Sequence, residues 1–341
     1  QTVFPLPLGQ AASWDPELVE RCARIAAAEA AATGVNWTFA PMVDIGRDPR
    51  WGRIAETLGE DPWLASRLAV AMVRGFQGEN LSDSGCIAAC AKHFAGYGAS
   101  ESGRDYNTTD IPEIELRTVH LPPFRAAVDA GVASLMKSFS DLNGVPATAN
   151  EFLLKQVLRE EWGFRGFVVS DWESVPQLAV HGLTAGDRES ALAAAAAGLD
   201  MEMASTTFRE HLAGLVKEGK VATGEIDAMA ANVLRVKLRL GLFEDPYTDA
   251  EHLRPPEEHE SLEVAREAAL GSLVLLMNRD HALPLSKQGL GSLAVIGPMA
   301  DEPVEQLGTW IFDGDPVRSV TPLQSLRQFL EPDVEVRYER V

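Results

Sequence analysis

Four polar clusters in this sequence each follow an apolar stretch of the length expected for a buried β-strand. They are 44–53, Lys92 with His93, 136–143, and Asp171 with Trp172, which ends the stretch GFVVSDW. In parallel α/β proteins the functional groups gather where strands end and loops begin, so we expect the clusters to meet at one mouth. A carboxylate beside an indole ring, with Arg, Lys and His nearby, suits a sugar, because the ring packs on its apolar face and the bases hold its hydroxyl groups.

Each cluster also has an ordinary structural explanation when it is considered alone. Asp171 has the residue type that caps a following helix, and a Lys–His pair fits a strand end that is ion-paired to a neighbour. In the loop DIGRDPRWGR, Asp48 and Arg50 best fit a structural salt bridge. Arg53 is the better ligand candidate of that loop, and Glu56 is placed to orient Arg53 or the lysine. The joint pattern, rather than any single cluster, predicts a site.

The elements that position these clusters alternate between helix and strand. Helical spacing of apolar residues is followed by a short apolar stretch each time, which indicates parallel strands joined by helical crossovers. The predicted helices are 16–33, 62–76, 112–130, 147–162, 190–198, 207–217 and 225–240, and the predicted strands are 37–43, 87–94, 133–139, 167–170 and 200–203. Five strands favour an α/β layer or barrel, but they are fewer than the eight that close a parallel barrel.

A second unit is predicted after a polar, proline-rich stretch at 244–260 that is typical of a linker. A helix at 261–269 and two apolar strands, SLVLLM at 272–277 and SLAVI at 292–296, begin this unit. About 80 residues are fewer than the 100–150 of a common domain. We therefore expect the sequence to be a segment of a longer polypeptide.

Composition narrows the classes of partner. The chain has 341 residues, of which 50 are acidic and 30 basic, giving a net charge of −20. This charge argues against nucleic acid and anionic membranes as partners, and no uninterrupted apolar run reaches the roughly 18 residues of a membrane span. Three cysteines provide neither a disulfide framework nor a good zinc motif. We predict no metal and no cofactor.

Several long motifs resemble the β-glucosidases of glycoside hydrolase family 3, in order and spacing. They are FAPMVDIGRDPRWGRIAETLGEDP, CAKHFAGYGASESGRDYN, NGVPATAN and GFVVSDWE, followed by GLFEDPY and SLVLLMNRDHALPL. The resemblance covers essentially the whole sequence. It implies a TIM-type (β/α)8-like barrel, incomplete at its N-terminus, followed by the start of an α/β-sandwich domain. We accordingly predict a catalytic barrel at 1–245, a linker at 246–262 and the first part of the sandwich domain at 263–341.

The resemblance also implies roles for individual residues. By matched position, Asp171 is the catalytic nucleophile of a retaining mechanism. The residues that hold or line the sugar are Arg53, Lys92, His93, Met136 and Trp172. Some members have Tyr where this chain has Phe139, so one hydroxyl group is missing here. Adjacent cations such as Lys92 and Arg53 are expected to lower the pKa of Asp171 and keep it ionised.

Other parts of the family site have no counterpart in this sequence. A sugar-binding Asp is expected before the TVFPLPLG match, and the acid/base Glu is expected beyond Val341, so neither is assigned. The single-domain N-acetylglucosaminidases of the family are disfavoured, because they have His in the loop where this chain has FAGYGASESGRDYN. A Schiff-base aldolase using Lys92 is disfavoured by the neighbouring acids.

The sequence therefore predicts an exo-acting β-glucosidase that acts on oligosaccharides or glucosides. A β-xylosidase or another family specificity is one alternative, and a non-catalytic sugar-binding barrel is another. We expect a periplasmic or secreted location, although no signal peptide is visible in this segment. A homodimer is the assembly to be tested.

Overall fold

The computed structural model describes residues 2–248, 258–311 and 314–341. The chain forms two compact units, Gln1–Ser272 and Leu273–Val341. The first unit contains every cluster named above. In the described residues, each helix is too short or too polar to cross a membrane.

The first unit is built from short strands and longer helices. Its strands are β1 Cys90–Phe94, β2 Ser134–Lys137, β3 Asp141–Leu142, β4 Val145–Pro146, β5 Phe167–Trp172 and β6 Met201–Met203. Its α-helices are α1 Pro7–Ala12, α2 Pro16–Ala31, α3 Pro62–Gln77, α4 Glu113–Glu115, α5 Pro122–Asp129, α6 Gln177–Val180, α7 Asp187–Ala197, α8 Thr207–Lys217, α9 Thr223–Arg239 and α10 Glu258–Gly271. Leu116–His120 and Phe152–Glu161 are helical with π-type hydrogen bonding, and Gly52–Glu56 forms a 3-10 turn.

A parallel sheet organises the first unit. Its strands lie in the order β1, β2, β5, β6, and each neighbouring pair is parallel. The predicted strand 37–43 lies beside β1 through two parallel bridges, Trp37 with Ala88 and Met42 with Lys92. It is not a continuous strand, because Pro41 has no N–H to donate. Parallel strands in chain order with helices between them confirm the predicted α/β class, and this is the arrangement of strands in a (β/α) barrel.

Apolar residues are buried on both faces of this sheet. Val168 of β5 belongs to a cluster shared with the helices, whereas Val169 belongs to a second cluster with Cys90 and Met136. Neighbouring residues of a strand point to opposite faces, so a strand that is buried on both sides reads as a continuous apolar run. This arrangement explains why GFVVS is apolar or small right up to Asp171.

Helix α10 packs on α2. Val264 and Ala268 of α10 share a small core with Leu18, Cys22 and Ile25 of α2. The predicted linker falls partly on residues outside the described ranges. The predicted domain boundaries at 245 and 262 stay predictions.

The second unit contains two parallel strands, β7 Ser292–Ile296 and β8 Glu335–Glu339, with helix α11 Pro322–Leu330 between them. The strand predicted at 272–277 is wrong. The side chains of residues 273–277 are 62–90% exposed, and within the described ranges no strand pairs with this stretch. An apolar run becomes a strand only when a neighbouring strand satisfies its backbone groups.

Candidate active site

The carboxyl ends of β1 and β5 bring Asp171 and His93 together. Oδ1 of Asp171 accepts the backbone N–H of Trp172 at 2.7 Å. Oδ2 lies 3.5 Å from Nε2 of His93, and within the described ranges it accepts no hydrogen bond. Because one oxygen is fixed by the backbone, the other is held in place with a lone pair available to an incoming group.

Asp44 fixes the ring of His93. Oδ2 of Asp44 accepts the backbone N–H of His93 at 2.9 Å and lies 2.8 Å from its Nδ1. Nη2 of Arg53 lies 3.2 Å from Nε2, on the other side of the ring. Asp44 is the acceptor and Arg53 the donor in this arrangement, so we assign the ring proton to Nδ1.

Burial keeps this histidine neutral. The pKa of His93 lies well below its ordinary value because the ring is fully buried, and because Arg53 and Lys92 add positive charge nearby. Burial also raises the pKa of Asp44 to about 7, against the opposing effects of the His93 backbone N–H and the two cations. Burial removes water from both groups and so disfavours their charged forms. The ring in the site is therefore neutral.

Arg53 is held by the 3-10 turn Gly52–Glu56 and by the acid at the end of that turn. Its Nε and Nη2 donate to the two carboxylate oxygens of Glu56 at 2.7 and 3.1 Å. The Lys92 Nζ lies 3.9 Å from Oε2 of Glu56. The guanidinium also lies 5.6 Å from the centre of the Tyr97 ring. One carboxylate thus positions both cations beside the catalytic candidate, as the sequence indicated for Glu56.

The pKa of Asp171 differs from the sequence-based expectation. Burial raises it to about 6, although the Trp172 backbone N–H, Arg53 and Lys92 all oppose the increase. The prediction of a lowered pKa is wrong because it counted the cations and left out the cost of taking the carboxylate out of water. Asp171 is still mostly ionised at neutral pH.

The structure brings Arg53, Lys92, His93 and Asp171 into one group, while Met136 and Trp172 stand at its sides. Met136 is buried on the interior face of the sheet, beside Val169 of β5. Trp172 follows Asp171 and is 62% exposed. The roles predicted for these six residues remain predictions, but their placement fits a polar floor with an aromatic rim.

Three supporting residues were missing from the predicted set. Asp44 is the first acid after the apolar stretch PMV, so its position at a strand end was the signal that could have identified it. Tyr97 and Asp105 form a second support. Oδ1 of Asp105 accepts the Tyr97 hydroxyl at 2.5 Å and Nε1 of Trp51 at 3.0 Å. Asp105 lies in a polar loop with no local pattern that distinguishes it from its neighbours.

Lys137 is an unusual group at the end of β2. Its side chain is fully buried, and Nζ has no hydrogen-bond partner among the described residues. Burial lowers its pKa well below the ordinary value, with Asp171 as the charged group that opposes this shift. An amine buried without a partner lowers the stability of the fold.

Replacing Lys137 with Met is expected to raise the free energy of unfolding by about 1–3 kcal/mol at pH 7. The folded state holds the proton of this amine less tightly than the unfolded state. The gain is therefore largest at low pH and shrinks as pH rises toward the unfolded pKa of about 10.4. Urea unfolding at several pH values measures it. The control Lys155→Met removes an exposed lysine that is paired with Glu151. A destabilised Lys137→Met protein would show that the amine has a partner that stabilises it.

Residues 1–236 match the model of the glycosyl hydrolase family 3 N-terminal domain, which is more than half of the chain. The chain belongs to glycosyl hydrolase family 3. The resemblance found in the motifs is thereby confirmed. Among the described residues no group of three or more His, Cys, Asp or Glu side chains is arranged to hold a metal ion.

Individual members of family 3 match over the full length of this chain. A periplasmic β-glucosidase of Salmonella typhimurium is 42% identical, with coverage of 100% of this chain and 45% of the relative. A β-xylosidase of Formosa agariphila is 37% identical, with coverage of 99% and 49%. The crystal structure of a β-glucosidase from Listeria innocua in complex with glucose has a TM-score of 0.93 and 41% identity, covering 100% of this chain and 47% of that one. The chain spans about half the length of these relatives.

Proposed function

We propose that this chain carries the glycone site and the nucleophile of a retaining, exo-acting β-glucosidase. The observation that supports it most strongly is the buried Asp171 carboxylate, with one oxygen tied to the backbone and the other facing His93, beside Arg53 and Lys92. The family match and the β-glucosidase names of several relatives support the same function.

In this mechanism Oδ2 of Asp171 attacks the anomeric carbon, and the bond from that carbon to the leaving oxygen breaks. The product is a covalent glycosyl–enzyme ester, which water then hydrolyses with overall retention of configuration. A second carboxyl group, about 5–5.5 Å away in retaining enzymes, protonates the leaving oxygen and later activates the water. None of the residues named above is assigned this second role.

The other site residues bind the glycone. Arg53 and Lys92 offer charged N–H donors, and the Glu56 carboxylate fixes their direction. Neutral His93 borders the attacking oxygen without forming a charged pair that would weaken it as a nucleophile. Hydrogen bonds from charged donors to sugar hydroxyls are strong when they are shielded from water, so this polar floor is suited to a single terminal sugar.

Hydrolysis of 2,4-dinitrophenyl β-D-glucoside and the matching β-D-xyloside tests this proposal. Dinitrophenolate leaves without protonation, so the first step reports on Asp171 and the glycone contacts alone. We expect faster turnover of the glucoside, with the β-anomer of glucose as the first product in an NMR time course. Faster xyloside turnover would favour the β-xylosidase alternative, which the Formosa agariphila relative supports. Binding of glucosides without any turnover would favour the sugar-binding barrel.

The acidic limb of kcat/KM is expected to fall with a midpoint near pH 6. The pKa of Asp171 is about 6, and only the ionised carboxylate attacks, so activity decreases as pH falls through that value. Asp44 titrates in a neighbouring range, because burial raises its pKa to about 7. The control Asp44→Asn removes that second group and should retain a limb near 6. A limb in Asp44→Asn that lies near pH 4 would contradict the raised pKa of Asp171.

We also propose a location for this protein and retain a predicted assembly. The periplasmic β-glucosidase of Salmonella typhimurium supports a periplasmic or secreted location for this protein. An acidic surface with a net charge of −20 disfavours binding to nucleic acid or to anionic lipid. The homodimer stays a prediction, and sedimentation of the purified protein would test it.

A further inference from the structure

Tyr106 stands beside the site, in the loop that follows β1, and none of the roles above uses it. Its ring centre lies 4.5 Å from that of Phe139, with an angle of 58° between the planes. Phe139 is buried, whereas Tyr106 is 56% exposed. Tyr106 therefore covers Phe139 and presents its own outer face to solvent.

The residue before Tyr106, Asp105, is connected through Tyr97 to His93 of the site. Asp105 accepts hydrogen bonds from Trp51 and from the Tyr97 hydroxyl. The Tyr97 ring lies 5.2 Å from the ring of His93. Tyr106 itself has a φ of 64°, a conformation that is uncommon for a non-glycine residue and persists where neighbours impose it. The backbone next to this ring is therefore held by Asp105, whose contact with Tyr97 reaches His93.

Tyr106 also shares the electrostatic environment of the nucleophile. Partial burial, followed by the charges of Asp105 and Asp171, raises the pKa of its hydroxyl, and Arg53 opposes this increase. The hydroxyl therefore stays protonated at neutral pH. The Phe139 ring, against which Tyr106 packs, lies 5.9 Å from the Tyr97 ring, and Tyr97 in turn neighbours His93.

The distribution of burial separates the two ends of the site. Arg53, Lys92, His93 and Asp171 are all largely buried, and they form a polar floor for the sugar that is attacked. The group that departs must lie on the solvent side of that sugar, because it has to leave. Tyr106 is an exposed aromatic ring near this floor, and an aryl or sugar ring can pack on such a surface.

We propose that Tyr106, supported from beneath by Phe139, forms the wall on which the leaving group packs. This inference rests on the proposed function, since it presumes that the polar floor holds the sugar being cleaved. Tyr106 thereby selects substrates by their leaving group, whereas the polar floor binds the glycone.

The test measures binding of two non-hydrolysable probes, phenyl and methyl 1-thio-β-D-glucoside, by calorimetry. Tyr106→Asn removes the ring and keeps a residue type that tolerates positive φ. Tyr106→Phe keeps the ring. The matched control is Tyr247→Asn, which removes a tyrosine that is 84% exposed and lies beside residues preceding the strands, at the opposite end of the sheet.

We expect Tyr106→Asn to lower the affinity for the phenyl probe by about three- to ten-fold and to leave the affinity for the methyl probe unchanged. Tyr106→Phe and Tyr247→Asn should bind both probes as the wild type does. Equal affinity of Tyr106→Asn and wild type for the phenyl probe would overturn the proposal that the leaving group packs on Tyr106. Parallel loss of both probes would also overturn it, because it would place Tyr106 against the glycone.

Turnover separates this proposal from the proposed function. If the variants show the expected probe pattern but the wild type never hydrolyses dinitrophenyl glucoside, the role of Tyr106 is supported and the β-glucosidase assignment is rejected. If the wild type hydrolyses the glucoside and Tyr106→Asn binds the phenyl probe normally, the β-glucosidase assignment is supported and the role of Tyr106 is rejected. A protein that binds neither probe contradicts both.

Discussion

Replacing Asp171 with Ala is expected to lower kcat on β-glucosides by about four orders of magnitude or more, because the covalent step has no other nucleophile. Substrate binding should persist, since Arg53, Lys92 and His93 remain to hold the glycone. The fold should also persist. Asp171 is buried at a raised pKa, so its removal takes away a carboxylate that is costly to bury at neutral pH.

Azide distinguishes loss of the nucleophile from loss of the fold. In Asp171→Ala a small anion fits the space left by the carboxylate and attacks the anomeric carbon directly. A single displacement inverts configuration, so we expect restored turnover with α-glucosyl azide as the product. The matched control Asp129→Ala removes an exposed acid that is paired with Arg125 on α5, and it should keep full activity. Substantial turnover by Asp171→Ala without azide would remove Asp171 from the nucleophile role.

The second large effect is expected at Arg53. Arg53→Met should lower kcat/KM by about 100-fold, because charged hydrogen bonds are worth about 1.5–3 kcal/mol each and the guanidinium contacts both Glu56 and His93. Arg53→Lys should recover little of this loss, since an ammonium group lacks the planar fork that meets both oxygens of Glu56.

The control for Arg53 lies three residues earlier in the same loop. Arg50 forms an exposed ion pair with Asp48, so Arg50→Met is expected to change kcat/KM by less than about two-fold. Steady-state kinetics on dinitrophenyl β-glucoside compares the three variants. Equal losses in Arg50→Met and Arg53→Met would mean that the loop, rather than the Arg53 side chain, supports activity.

The sequence predicted the groups that lie at strand ends. Lys92, His93 and Asp171 follow apolar stretches directly, and parallel strands carry such residues to one edge of a sheet whatever the details of packing. Arg53 and its partner Glu56 share one short turn, so their contact is local as well. The placement of residues at strand ends and the contact within one turn both depend on spacing along the chain, which can be read directly from the sequence.

Other features depend on packing between distant segments. The contact of Asp44 with His93 spans 49 residues, and the pKa of Asp171 depends on how deeply β5 is buried. Tyr106 meets Phe139 only because two loops converge. The stretch 273–277 shows the reverse case, since its apolar pattern predicts a strand but pairing decides whether one forms. Charges can be counted from a sequence, whereas the solvation that opposes them cannot.

The proposed function depends on formation of the covalent intermediate by Asp171. It is tested most directly by peptide mapping of the protein after incubation with 2-deoxy-2-fluoro-β-D-glucosyl fluoride, whose fluoride departs without an acid catalyst and whose 2-fluoro group slows hydrolysis of the ester. We predict a single label on the peptide that carries Asp171, with matching loss of activity and no label in Asp171→Ala. A label on another carboxylate, or an unlabelled protein that hydrolyses β-glucosides at full rate, would show that Asp171 is not the nucleophile.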